Sequence, residues 1–138
     1  YLTLAFLLMA GIVTAQTRGD NQIQVKGISF HGTVTALLDA GYEVQSLDSN
    51  YQTVTTEFRN VSLKSGRKST VFASFYIRVK DSTAFITGKW YSDLFSGRDP
   101  SNAEKNEVKL TSGASKFIFE SMDKFAQGLG GEIKYGRQ

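Results

Sequence analysis

Residues 71–92 read VFASFYIRVKDSTAFITGKWYS, and the fold turns on this stretch. Val71, Ala73, Phe75, Ile77 and Val79 alternate with Phe72, Ser74, Tyr76 and Arg78. Beyond Asp81-Ser82, Ala84, Ile86, Gly88 and Trp90 alternate with Phe85, Thr87, Lys89 and Tyr91. A period of two marks strands with one buried face. β-branched and aromatic residues suit that pleated surface, and the short polar dipeptide between the runs reads as a tight turn. The stretch predicts an antiparallel hairpin with one apolar face.

Working outward, Tyr51–Arg59 is rich in Thr, Val, Tyr and Phe and predicts another strand. Tyr42–Leu47 is a shorter one, joined to it by the turn residues Asp48-Ser49-Asn50. Residues 60–70 are a polar connection around Gly66. Upstream, Ser29 caps a helix over 30–40 with Phe30, Val34, Leu37 and Leu38 on one stripe. Gly41 falls where a helix ends in a left-handed residue, with Tyr42 as the apolar residue that folds back. Ile23 and Val25 mark a short strand over 22–26. Downstream, residues 93–113 are polar, with Asn106–Thr111 as an optional edge strand. From Ala114 the period becomes helical, and Phe117, Ile118, Met122, Phe125, Ala126 and Leu129 share a face. Gly128, Gly130 and Gly131 end that helix before a short strand at Glu132–Tyr135.

Two amphipathic helices and a set of antiparallel strands predict an α+β fold. The expectation is a two-layer sandwich, an about four-stranded sheet with both helices on one face. Phe75, Ile77, Ile86 and Trp90 would then meet Leu37, Leu38, Ile118, Met122 and Phe125.

Residues 1–15, YLTLAFLLMAGIVTA, carry no charge. The apolar block Leu4–Val13 is too short to span hydrocarbon, which needs about 20 residues, and resembles a signal-peptide core. Val13-Thr14-Ala15 supplies small residues for cleavage before Gln16. We therefore expect a signal peptide at 1–15, incomplete at its start, a linker at 16–21 (QTRGDN), and one domain over 22–138. The product is expected to be exported, periplasmic or extracellular, with no stable membrane insertion after cleavage. The chain has 138 residues, no Cys and one His, with 41% apolar and 21% charged side chains. The lack of Cys excludes disulfide scaffolds, thiol catalysis and thiolate metal sites.

Chemistry-bearing patterns are sparse. His31 lies in the first helical turn, with Asp39 as the nearest acid in sequence, eight positions on. Gly128-Leu129-Gly130-Gly131 follows a helix instead of preceding one, so it lacks the aligned amides of a phosphate loop. Arg18-Gly19-Asp20 resembles an integrin-binding motif, but a tripeptide recurs by chance, and Asn60-Val61-Ser62 fits a glycosylation sequon whose use depends on the host. Glu57 is the one acid inside a predicted strand. It anchors the alternative reading, a small hydrolase or enzyme inhibitor. No catalytic residue, cofactor or metal site is otherwise expected. The net charge of +3 is weak for nucleic acid. The basic residues between Arg59 and Lys80 read as a solvated hairpin, with an anionic polymer or lipid surface as the alternative.

The sheet face left bare by the helices is the more informative surface. It is expected to present Thr53, Thr55, Glu57 and Arg59, then Phe72, Ser74, Tyr76 and Arg78, then Phe85, Thr87, Lys89 and Tyr91. Rings, hydroxyls and cations together can stack on a sugar or receive a protein; a solvated sheet face uses the same residue types. Tyr76, Phe85 and Tyr91 are the candidate contacts, with Arg78 and Lys89 as polar anchors.

Residues 34–44 (VTALLDAGYEV), Asp48 and residues 54–58 (VTTEF) form a further pattern: a helix ending at Gly-Tyr, a strand, an Asp turn and a Thr-rich strand. It resembles the repeated domains of the C-type accessory lipoprotein of the outer-membrane β-barrel assembly machine, and other small exported envelope domains. This chain departs from the lipoprotein in lacking a lipid-attachment Cys. The resemblance implies a non-enzymatic envelope role with an envelope protein or glycan as partner. Oligomeric state is not legible from the sequence.

Overall fold

The computed structural model describes residues 15–61, 71–92 and 105–138. The expected signal peptide, apart from Ala15, lies outside these residues. So do most of the 60–70 connection and the first part of the 93–113 loop.

The spine is the hairpin of β5 (Val71–Lys80) and β6 (Thr83–Ser92), paired without interruption from Val71↔Ser92 to Lys80↔Thr83. Its turn is two residues long, with Asp81 and Ser82 at φ 51° and 57°. Positive φ at both positions gives a backbone twist that matches the flanking strands. Ser82 also accepts backbone hydrogen bonds from Gly27 and Ile28, at 2.8 and 3.0 Å, which tie the hairpin tip to the chain leaving β1 (Gln22–Lys26).

Each outer edge of this hairpin carries two short strands. Along β5 run β3 (Thr53–Thr56) and β4 (Arg59–Val61). Along β6 run β1 and β7 (Asn106–Glu107). Beyond β3 lies β2 (Val44–Asp48), and beyond β1 lies β8 (Glu132–Gly136). The result is one eight-stranded antiparallel sheet in the order β2-β3-β5-β6-β1-β8, with β4 on β5 and β7 on β6.

The expected about four-stranded two-layer sandwich with both helices on one face is therefore corrected: the described residues are mostly sheet, with eight strands and two helices among them. Pairing of chain neighbours accounts for β2-β3-β5-β6. The free edge of β6 is taken by β1 and β7, with the C-terminal β8 added beyond β1, and periodicity reveals a strand's faces but not its neighbours.

The helices differ in their roles. α1 (Phe30–Asp39) is bounded as its residues predict, with Ser29 Oγ accepting from Gly32 N at 3.0 Å. At its other end Tyr42 N donates to Leu37 O and Gly41 N to Leu38 O, with Gly41 at φ 85°. That pair of bonds satisfies the last carbonyls and needs a residue free of the left-handed penalty. Of α1 only Thr33 and Leu37 are buried, and Leu38, expected in the core, is 56% exposed. α2 (Gly113–Gly128) is the helix that covers the sheet, packing over β1, β5 and β6. It buries Ile118, Phe119, Met122, Phe125 and Ala126 against Ile23, Val25, Phe75, Ile77 and Ile86. Gly88 on β6 makes room for a further element. A Cβ there would lie 2.9 Å from Val108 Cγ2, and Val108 is fully buried.

Candidate functional site

On the side of the sheet away from α2, registered pairs line up into rows. One row runs Lys134–Gln24–Phe85–Arg78–Thr53 across β8, β1, β6, β5 and β3. Beside it lie Thr87–Tyr76–Thr55 on one side and Glu132–Lys26–Thr83–Lys80 on the other. Lys89 follows, between Ser74 and Glu107. Four of the residues predicted from sequence, Tyr76, Arg78, Phe85 and Lys89, are thus neighbours on one face. Tyr76 is 44% exposed, Arg78 and Lys89 are exposed, and Phe85 is half-buried. Lys26, Lys80 and Lys134 are exposed on the same face, with Glu132 and Glu107 at its margins. The face is cationic and carries hydroxyls from Thr53, Thr55, Tyr76, Thr83 and Thr87.

Tyr91 is different. It is 6% exposed, stacked on Phe72 at 5.0 Å between centroids and packed on Phe58 at 5.0 Å. Burial pushes its phenol above the usual tyrosine range. Tyr91 cements the strands and is not available as an open contact residue.

Phe58 reaches that cluster because of a β-bulge. From Thr53 to Arg59 the chain takes six steps, whereas their partners Arg78 and Ala73 are five apart. The extra residue inverts the alternation beyond Thr56. Phe58 moves to the open face, and Arg59, expected there, moves to the helix side. Thr56 holds the bulge closed: its Oγ1 accepts from Phe75 N at 2.9 Å and its carbonyl from Ser74 Oγ at 2.6 Å. Glu57 N donates to Glu43 O at 2.8 Å.

On the helix side the displaced Arg59 borders a groove of about 730 Å³ between α1, α2 and the β4–β5 edge. Ala36, Val61, Ala73, Phe75, Ile118 and Phe125 supply its apolar lining. Tyr42 packs on Phe75 at 5.3 Å and meets Phe125 edge-on at 5.9 Å. The Arg59 guanidinium lies 4.8 Å above the Tyr42 ring, and its Nη1 donates to Ala40 O at 3.4 Å. Burial raises the Tyr42 pKa, partly offset by the Arg59 charge. Asp39, Asn60, Ser121 and Lys124 add to the polar lining. Sequence reading missed this groove because the bulge, not the alternation, delivers Arg59 to it.

The other candidates are dispersed. His31 is exposed on α1. Glu57 is exposed and shares a 260 Å³ depression with Glu43, Gly41, Phe58 and Arg59. Asn60 of the sequon is exposed, and Ser62 lies outside the described residues. Asp20 and Asn21, read from sequence as the end of an exposed linker, are buried. Asp20 Oδ2 accepts from Thr17 N at 2.7 Å, while Asn21 Nδ2 donates to Glu107 at 2.6 Å and its Oδ1 accepts from Gln138 N at 2.7 Å. The aspartate of the Arg-Gly-Asp tripeptide is therefore turned into the fold. Asp123, buried on α2, accepts from Tyr135 Oη at 2.6 Å, Gln127 Nε2 at 2.9 Å and Gln16 Nε2 at 3.1 Å, pinning the chain ahead of β1 to α2 and β8. Among the described residues no group of three or more His, Cys, Asp or Glu is placed to hold a metal ion, and no helix is long and apolar enough to cross a membrane. In comparisons with known proteins, the chain matches no protein-family model and no curated protein.

Proposed function

We propose that this chain is an exported, non-enzymatic binding domain that contacts an acidic glycan through the uncovered sheet face. The observation that carries the reading is the row Lys134–Gln24–Phe85–Arg78–Thr53, flanked by exposed Tyr76 and Lys89. From Arg78 to Lys134 the row crosses three strand intervals, roughly 14 Å at the usual strand spacing. Cations held at that separation on paired strands suit an extended polyanion, with Tyr76 and Phe85 offering ring faces to sugars. The apolar segment at 1–15 supports export, and the resemblance of residues 34–58 to envelope domains supports a contact role.

Retention on immobilised polyuronate, against neutral dextran, tests the reading. The protein is expected to be held on polyuronate, to elute as salt screens the charges, and to pass through dextran. Tyr76→Ser with Arg78→Ser should lose retention while keeping the far-ultraviolet spectrum. Equal retention on dextran, or unchanged retention in the folded variant, sinks the proposal. Loss of a protein partner without any effect on polyuronate would move the surface to the protein-binding class.

A further inference from the structure

The groove on the helix side lies across the sheet from the open face and is a concave site. Its volume of about 730 Å³ lies within the range that holds a small organic ligand, about 300–1,000 Å³. Ala36, Tyr42 and Val61 present partly exposed apolar surface over the buried Phe75, Ile118 and Phe125, while Arg59 and Lys124 stand among the polar lining residues. The only salt bridge among the described residues is Lys109–Glu107, so neither Arg59 nor Lys124 is in a salt bridge with a described carboxylate. Asp39 is the single acid lining the groove, leaving its charged lining with an excess of one positive charge, while Glu43 and Glu57 stand in the adjoining depression that Arg59 also borders. The guanidinium lies over the Tyr42 ring with one hydrogen bond, to Ala40 O, and of its five N–H groups others remain for an acceptor. We infer that the groove between α1, α2 and β4–β5 binds a small anionic amphiphile, its acyl body on Ala36, Tyr42 and Val61 and its carboxylate between Arg59 and Lys124.

The apolar residues select the tail and the cations select the head, so two variants separate the contributions. Ser121→Phe places a ring in the groove without removing a core side chain. Lys124→Glu reverses an exposed charge on α2. Isothermal titration of the full chain with decanoate and with decyltrimethylammonium reads both. Decanoate is expected to bind with one-to-one stoichiometry, at least about tenfold more tightly than the cationic homologue. Lys124→Glu should weaken decanoate about tenfold and narrow or reverse the preference. Ser121→Phe should abolish binding of both with its circular dichroism unchanged; should that variant not fold, Lys124→Glu alone decides. Equal affinity for the two head groups, undiminished binding in either folded variant, or no heat with decanoate overturns the inference. Tyr76→Ser, on the opposite face, should leave the titration unchanged, so failure of the glycan reading does not imply failure of this one.

Discussion

The two faces of the β5–β6 ladder are made by the same residues taken alternately, yet they have different physical tasks. On the α2 side Phe75, Ile77, Ile86 and Ala84 are almost fully buried, and a single apolar layer joins sheet to helix. On the other side Tyr76, Arg78 and Lys89 remain in water while Phe72, Phe58 and Tyr91 form a small aromatic cluster at one end. Adjacent positions along one strand therefore differ in what a substitution costs. A side chain removed from the covered face leaves a cavity, whereas one removed from the open face leaves solvent. The contrast separates the residues that stabilise the domain from those free to serve contact.

The largest expected effect lies on the covered face. Phe75→Ala should cost about 3–5 kcal/mol, read from urea denaturation midpoints, because it opens a cavity beneath α2. A loss below about 1 kcal/mol would erase the distinction between the faces. Next comes the polar pin above that face. Asp123→Ala should cost about 1–3 kcal/mol, because it leaves the Tyr135 hydroxyl and the Gln16 and Gln127 amides without their acceptor. Protection of Tyr135-strand amides in hydrogen exchange should fall with it.

A smaller effect follows from the same contact through pH. Burial first, then the hydrogen bond to Asp123, raises the Tyr135 phenol above its ordinary value of 10.0. A phenol with its folded pKa raised contributes stability below the unfolded value, and that contribution is lost as pH rises from about 10 through the folded pKa. Between about pH 9 and 11 the native chain should therefore lose more stability than Tyr135→Phe. An equal loss would show that Tyr135 is not a source of the alkaline transition. The smallest effect belongs to the open face: Tyr76→Ser should change stability by less than about 1 kcal/mol, measured by the same denaturation. A larger loss would mean that Tyr76 is structural.

Most of the local structure was legible in the residues. Ser29, Gly41 and Tyr42 mark both ends of α1 because capping and the left-handed turn depend on side chains within a few positions. The alternation in 71–92 identifies the buried set because side chains point to opposite faces in turn. The placement of Tyr76, Arg78, Phe85 and Lys89 on one face was legible for the same reason, whereas Tyr91 is covered by its registered neighbour Phe72 together with Phe58, which the bulge brings to that face. No residue type announces that arrival. Trp90 shows a similar boundary: the alternation puts it on the core side, but it is only partly buried, with Nε1 lacking a hydrogen-bond partner.

By itself the sequence determined the hairpin, its turn, the two helices and which of their residues prefer to leave water. These are properties of periods and turns spanning at most a few residues. The tertiary structure decided that β1 sits between β6 and β8, that a bulge after Thr56 exchanges the sides of Phe58 and Arg59, and that Asp20, Asn21 and Asp123 tie distant segments together. Strand neighbours are selected largely through backbone hydrogen bonds, which nearly every residue can make, so the choice is settled only when the whole apolar layer closes.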